Sequence, residues 1–197
     1  LYVAVDDGTP TELRDTLGPI EGRSEAPPKL AFGSDGTLHA IYVVVKDDSA
    51  AKQPLEAIRY VRSADGGTTW SAANNTLRAA DIAALVIDPT TVATLATTTI
   101  FAGGHAAASG NTGYLNFGLY RSDDGGANWL TLDGALPISN SYLGAVRALA
   151  LDPNSCTSPP CTPSNGPLQR VYAVGHGRAP NDQNVADETH RVLRSDD

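Results

Sequence analysis

Short apolar runs broken by glycine, proline and polar turns set the rhythm of this chain. Leu30-Ala31-Phe32, Leu38 to Val45, Ala84-Leu85-Val86-Ile87 and Ala148-Leu149-Ala150-Leu151 are strand-sized, and short runs of this kind read as buried strands. Asp35-Gly36 separates the first two runs, a favoured pair where a hairpin needs positive φ. The other two runs end on the same stop, Asp88-Pro89 and Asp152-Pro153. The pattern predicts an all-β protein of many short antiparallel strands.

Three segments repeat. Arg62-Ser63-Ala64-Asp65-Gly66-Gly67-Thr68-Thr69-Trp70 matches Arg121-Ser122-Asp123-Asp124-Gly125-Gly126-Ala127-Asn128-Trp129 at Arg, Ser, Asp, both Gly and Trp, and Arg194-Ser195-Asp196-Asp197 begins the same motif. The repeat extends upstream to Ile41-Tyr42-Val43, Ile100-Phe101-Ala102 and Val171-Tyr172-Ala173, whose aromatic residues precede the motif Arg by 20, 20 and 22 positions. A kept spacing marks a structural repeat rather than a coincidence of Ser, Asp and Gly. The motif anchors Asp65, Asp124 and Asp197 stand 59 and 73 positions apart. That is longer than the roughly 40–50 residues of a compact four-stranded repeat, so each must carry extended loops.

Each repeat supplies an inner strand, a second strand through the aromatic triplet, a third running into Arg-Ser and a fourth starting at Trp. The first uses Leu30–Phe32, Leu38–Val45, Ala57–Arg62 and Trp70 onward. Ala84–Ile87, Thr98–Ala102, Gly118–Arg121 and Trp129–Leu132 form the second. The third has Val146–Leu151, Arg170–Val174 and His190–Arg194, without an outer strand. The divisions fall at 27–80, 81–143 and 144–197, the last incomplete, after a segment 1–26 that reads as a remnant of a preceding repeat and a linker.

The signature Ser-x-Asp-x-Gly-x-x-Trp, complete at Ser63, Asp65, Gly67 and Trp70 and at Ser122, Asp124, Gly126 and Trp129, and begun at Ser195 and Asp197, resembles the Asp-box, or bacterial neuraminidase repeat, of sialidases and of sortilin-type and xyloglucanase-type β-propellers. The resemblance covers about residues 27 to 197. It implies a propeller segment of four-stranded antiparallel blades with Asp-box turns between strands three and four. Such rings use about four to eight blades, so the missing ones are expected from further sequence of the same polypeptide or from association of copies. The residues suit the turn: Asp65 and Asp124 can accept backbone N–H bonds, Gly67 and Gly126 permit positive φ, and Trp70 and Trp129 are expected to be mostly buried.

In these families the Asp-box lies on the ring face away from the active site, which makes the motif residues structural. The opposite face then carries the loops Lys46–Glu56, His105–Phe117 and Gly175–Thr189. Binding candidates there are His105 and His176, equivalent residues that each follow Gly four positions beyond the triplet aromatic, together with Arg178, Lys46 and Asp47. Repeated histidines suit ligand contact or acid/base work. No catalytic residue is identified. A sialidase needs an arginine cluster, a Tyr–Glu nucleophile pair and an acidic proton donor; the family's Arg-Ile-Pro is absent, and Arg62, Arg121 and Arg194 sit at the Asp-box turns.

Composition narrows the partners. The net charge is −8 and the basic residues are scattered, so no basic stripe exists for nucleic acid. No stretch reaches the roughly 18 apolar residues of a membrane-spanning helix. Gly103-Gly104 is followed by no Lys-Ser/Thr and opens no helix, so neither a phosphate-binding loop nor another cofactor is indicated. Cys156 and Cys161 have no nearby His or further Cys to form a metal site. They read as a local disulfide, which points to a secreted, periplasmic or cell-surface setting. The expected function is a module that binds a glycan or protein or serves in a surface assembly. The alternative is a sialidase-like or xyloglucanase-like glycoside hydrolase with part of its catalytic set outside this chain.

Overall fold

A computed structural model describes residues 2–3, 11–12, 27–33, 35–46, 55–73, 77, 79–91, 95–106, 118–132, 145–156, 161, 168, 170–177 and 189–196. The chain is all-β. A first ladder pairs β1 (Tyr2–Val3) with β2 (Thr11–Glu12). Sheet one runs in chain order through β3 (Lys29–Phe32), β4 (Leu38–Lys46), β5 (Leu55–Ser63) and β6 (Ser71–Ala72), every neighbour antiparallel. Sheet two has the same order in β7 (Ala79–Ile87), β8 (Ile100–Ala106), β9 (Leu119–Ser122) and β10 (Leu130–Thr131). Sheet three comprises β11 (Ala145–Leu151), β12 (Arg170–Gly177) and β13 (Thr189–Asp196). A single described pair, Ala145 with His105, joins sheets two and three into one hydrogen-bonded surface.

The strand ends differ from the expected ones in both directions, and β10 is shorter than the expected Trp129–Leu132. β5, β7, β8 and β12 are all longer, and a 3-10 turn at Leu95–Thr97 precedes β8. Gly103, Gly104 and Gly175, which fall just past the expected strands Thr98–Ala102 and Arg170–Val174, lie inside strands. Gly103 explains why: a Cβ there would lie 2.4 Å from Val146 Cγ1. The missing side chain admits sheet three against sheet two, which is the close-approach use of a strand glycine rather than the turn use.

Packing is face to face between successive sheets. Ile41, Val43, Ile58 and Tyr60 of sheet one share a core with Ile82, Ile100, Ala102, Tyr120 and Trp129 around sheet two. Tyr60 meets the Trp129 edge in a T-shaped contact at 5.3 Å, a geometry the ring quadrupoles favour. A second seam brings Leu119 of sheet two against Val146 and Ala173 of sheet three. The other face of sheet one buries Ala40, Tyr42, Val44 and Val61, with Trp70 packed against them.

Polar anchors reinforce both seams. Arg62 Nη1 of sheet one donates to the Gly125 carbonyl at 2.8 Å, and the Tyr60 hydroxyl reaches the same oxygen at 3.3 Å. Between sheets two and three, the fully buried Asp88 carboxylate accepts the Leu168 N–H at 2.7 Å across 80 positions of sequence. Burial of these groups is tolerable because they are paired.

Candidate functional site

The two complete motifs form superimposable hydrogen-bond sets. In the first, Ser63 Oγ donates to Asp65 Oδ1 at 2.7 Å and accepts the Gly67 N–H at 2.8 Å. Asp65 in turn accepts the Thr69 N–H at 2.8 Å and its hydroxyl at 2.6 Å. In the second, Ser122 Oγ donates to Asp124 Oδ1 at 2.8 Å and accepts the Gly126 N–H at 2.8 Å, while Asn128 supplies backbone and side-chain N–H groups at 2.8 and 2.7 Å. Gly67 and Gly126 hold φ of 90° and 87°, values open to glycine and strained for other residues. Both motifs connect antiparallel strands, β5 to β6 and β9 to β10.

These turns consume their own polar chemistry. Hydrogen bonds from the Thr69 side chain and backbone and from Ser63 pull the Asp65 carboxyl down to about 2. Partial burial works to raise Asp124, and donors from Asn128 and Ser122 outweigh it, leaving that carboxyl below its ordinary value. Carboxylates so satisfied are held as anions and make poor proton donors. Trp129 is buried at 3% exposure and Trp70 is partly buried, packed against the cluster on the other face of sheet one. Tyr60 of the neighbouring sheet covers Trp129. Trp70 sends its indole N–H to the Gly67 carbonyl at 2.9 Å instead.

The remaining described acidic side chains are engaged at the same end of the sheets. Asp35 caps its turn through Thr37 N and Oγ1 at 3.0 and 2.9 Å. Asp88 accepts Thr90 N and Oγ1 at 2.8 and 2.7 Å in addition to Leu168. Asp123 pairs with Arg121 Nε at 2.8 Å and accepts from Thr99. Asp152 accepts Asn154 N at 2.9 Å and Arg170 Nη1 at 2.8 Å, which together lower its carboxyl.

At the opposite end the register brings two sequence candidates together. His105 and His176 are both direct partners of Ala145, one in β8 and one in β12. They lie inside strands rather than in the expected loops. Asp81 is the partner of His105 on its other side, and His190 that of His176. One cross-strand row therefore reads Asp81, His105, Ala145, His176, His190. Lys46 ends β4 opposite Leu55 in sheet one. Asp47, Arg178 and Asp197 lie outside the described residues, and Ser195 pairs with Val171 in β13.

Asp81 and His190 were not singled out from the sequence. His190 began an expected strand, and counting the β12–β13 hairpin back from the motif would have set it opposite His176. Asp81 was hidden because Ala79-Ala80-Asp81 offers no apolar run, although it is the start of β7. No helix among the described residues is long and apolar enough to cross a membrane. The Cys156 and Cys161 sulfurs stand 2.08 Å apart, at disulfide distance. Comparison with protein-family models and with curated proteins returns no match.

Proposed function

We propose that this chain is a segment of a secreted or cell-surface Asp-box β-propeller that acts as a glycan- or protein-binding or structural module, without hydrolytic chemistry of its own. Its blades correspond to residues 27–80, 81–143 and 144–197, with the start of β7 (Ala79–Ile87) reaching across the first division. Sheets of repeated strand order, stacked face to face with matching motif turns, support the propeller reading. The cysteine pair at bonding distance supports an oxidising compartment.

One observation carries the non-catalytic reading. Asp35, Asp65, Asp88, Asp123, Asp124 and Asp152, the described acidic side chains, are all engaged in turn hydrogen bonds or ion pairs at the motif end. Glycoside hydrolysis needs two carboxyl groups flanking a substrate, one of them poised as a proton donor, and groups consumed in turn hydrogen bonds and ion pairs do not meet that demand. The ligand face is then the other end, where His105 and His176 are paired across Ala145.

A glycan array run beside fluorogenic sialoside and β-glucan assays tests the reading. Saturable glycan retention, weakened by substitution of His105 or His176 and without turnover of either substrate, is the expected result. Measurable hydrolysis, lost on changing a carboxylate of this chain, would overturn it.

A further inference from the structure

We infer that the seam between sheets one and two is an acid-sensitive joint, with His39 as the proton acceptor and release of the β9–β10 motif turn from sheet one as the result. Register sets the position. His39 is the direct partner of the motif residue Arg62, Phe101 that of Arg121 and Tyr172 that of Arg194. Counted from the motif arginine, His39 rather than Tyr42 is therefore the counterpart of Phe101 and Tyr172. Each repeat sets an aromatic ring opposite its arginine, and imidazole is the one such ring that takes up a proton near neutrality. In the second repeat the arginine lies over that ring, with Arg121 Cζ 5.7 Å from the Phe101 centroid. In the first it reaches across the seam instead.

His39 is 1% exposed and heads a polar chain through the seam. Its Nδ1 meets the Tyr60 hydroxyl, which donates to the Gly125 carbonyl at 3.3 Å, the oxygen that also accepts Arg62 Nη1 at 2.8 Å. A hydroxyl has one hydrogen, so this network assigns the ring proton to Nδ1 and leaves Nε2 a bare acceptor. Nε2 is buried without a hydrogen-bond partner among the described residues. A further proton lands there and makes the ring a cation inside the seam.

The groups facing that cation do not hold it. Burial lowers the closed imidazole to about 4, against the pull of Asp35 and with the repulsion of Arg62. Both Asp35 oxygens, on the β3–β4 turn, already accept from Thr37. Tyr60 is kept neutral by burial, and Asp124, whose field reaches it from the sheet-two turn, accepts from Ser122 and Asn128. An open seam sets the imidazole in water, where it titrates near 6.5. Each unit of pH below that value therefore favours opening by about tenfold, until the closed ring titrates. Opening parts Tyr60 from Trp129, which it contacts edge-on at 5.3 Å. The joint does not depend on the glycan- or protein-binding reading.

The test is tryptophan labelling of the 197-residue chain with hydroxynitrobenzyl bromide, read site by site by mass spectrometry and expressed against free N-acetyltryptophanamide at each pH. Trp129 should label about 30-fold faster at pH 5 than at pH 7.5. Trp70, packed on the far face of sheet one, should change little. H39F, which carries the ring of the second repeat, should remove the pH dependence at Trp129. Low urea separates the joint from unfolding of the whole chain, because a local opening exposes little surface. Labelling of Trp129 at pH 5 should thus be nearly constant up to about 1 M urea. If H39F does not fold, the pH profile and urea series of the unaltered chain still decide. Labelling of Trp129 that ignores pH, an equal rise at Trp70, a steep urea dependence, or a pH response retained in folded H39F would overturn the assignment.

Discussion

The Arg62 guanidinium of sheet one donates to the carbonyl oxygen of Gly125, at the tip of the turn between β9 and β10. A motif that looks self-contained in sequence is thus also a docking surface for its neighbour. Tyr60 lies against the same turn, and a Cβ on Gly126 would fall 2.0 Å from Tyr60 Cε1.

That contact separates two glycines with the same backbone conformation. Gly36 and Gly126 hold φ of 84° and 87°, but nothing lies within 4 Å of a Cβ at Gly36. Gly36→Ala should cost about 1–2 kcal/mol, the strain of an L-residue in the left-handed region. Gly126→Ala adds overpacking of about 1–3 kcal/mol. Urea unfolding should show the second variant clearly less stable than the first, and equal midpoints would mean that the turn does not dock on Tyr60.

Acid should destabilise the fold in two separable stages. Burial, helped by Arg62 and opposed by Asp35, pulls the His39 imidazole down to about 4, where it shares a hydrogen bond with the Tyr60 hydroxyl. Below pH 6.5 the unfolded chain takes up a proton that the folded chain refuses. Stability is therefore lost as pH falls from 6.5 to 4, by about 3 kcal/mol at most. The carboxylates Asp65, Asp124 and Asp152, with lowered values, add stability present above the usual carboxylate range and lost at still lower pH. In H39Q the upper stage should shrink and the lower one persist, measured as unfolding free energy against pH.

The sequence disclosed the strand order and the motif turns because both are encoded locally. Alternating or continuous apolar runs define strands, and Asp, Ser and Gly at fixed offsets define the turn. Contacts between repeats were much less visible. Gly103-Gly104 falls just past the expected strand, and its place inside β8 follows only once Val146 is brought against it. Trp70 and Trp129 are identical in motif, yet only Trp129 receives a tyrosine from the adjoining sheet. The histidine row shows the same limit, since His105 and His176 are recognisable as equivalents, but their shared partner Ala145 follows only from how sheet three joins sheet two.

Reducing the Cys156–Cys161 bridge should have a small, local effect. The linked residues are 5 apart in sequence, and closing a 15-residue loop is worth about 3 kcal/mol in the chain-entropy account, less for a shorter one. Thermal melts with and without reductant should differ by only a few degrees, with the far-UV β-sheet signal unchanged below the transition. Loss of that signal on reduction would show that the bridge holds sheet three together.

Asp88 and Asp152 occupy the same Asp-Pro position in successive repeats, yet their substitution should have unequal consequences. Both carboxylates accept the N–H two residues on, from Thr90 and Asn154 at 2.8 and 2.9 Å. Asp88 is fully buried and also accepts the Leu168 N–H from the segment leading into β12, whereas Asp152 is partly exposed and pairs with Arg170 of its own sheet. Truncating Asp88 strands the Thr90 and Leu168 N–H groups in a buried seam, and each unsatisfied buried donor costs about 1–3 kcal/mol. Asp88→Ala should thus lose about 2–6 kcal/mol in equilibrium unfolding. Asp152→Ala should lose less, because water can reach the groups it frees. Asp88→Asn should recover only part of the loss, since its amide nitrogen must face one of the two N–H donors. Equal losses at Asp88 and Asp152 would show that the Leu168 contact does not clamp sheets two and three.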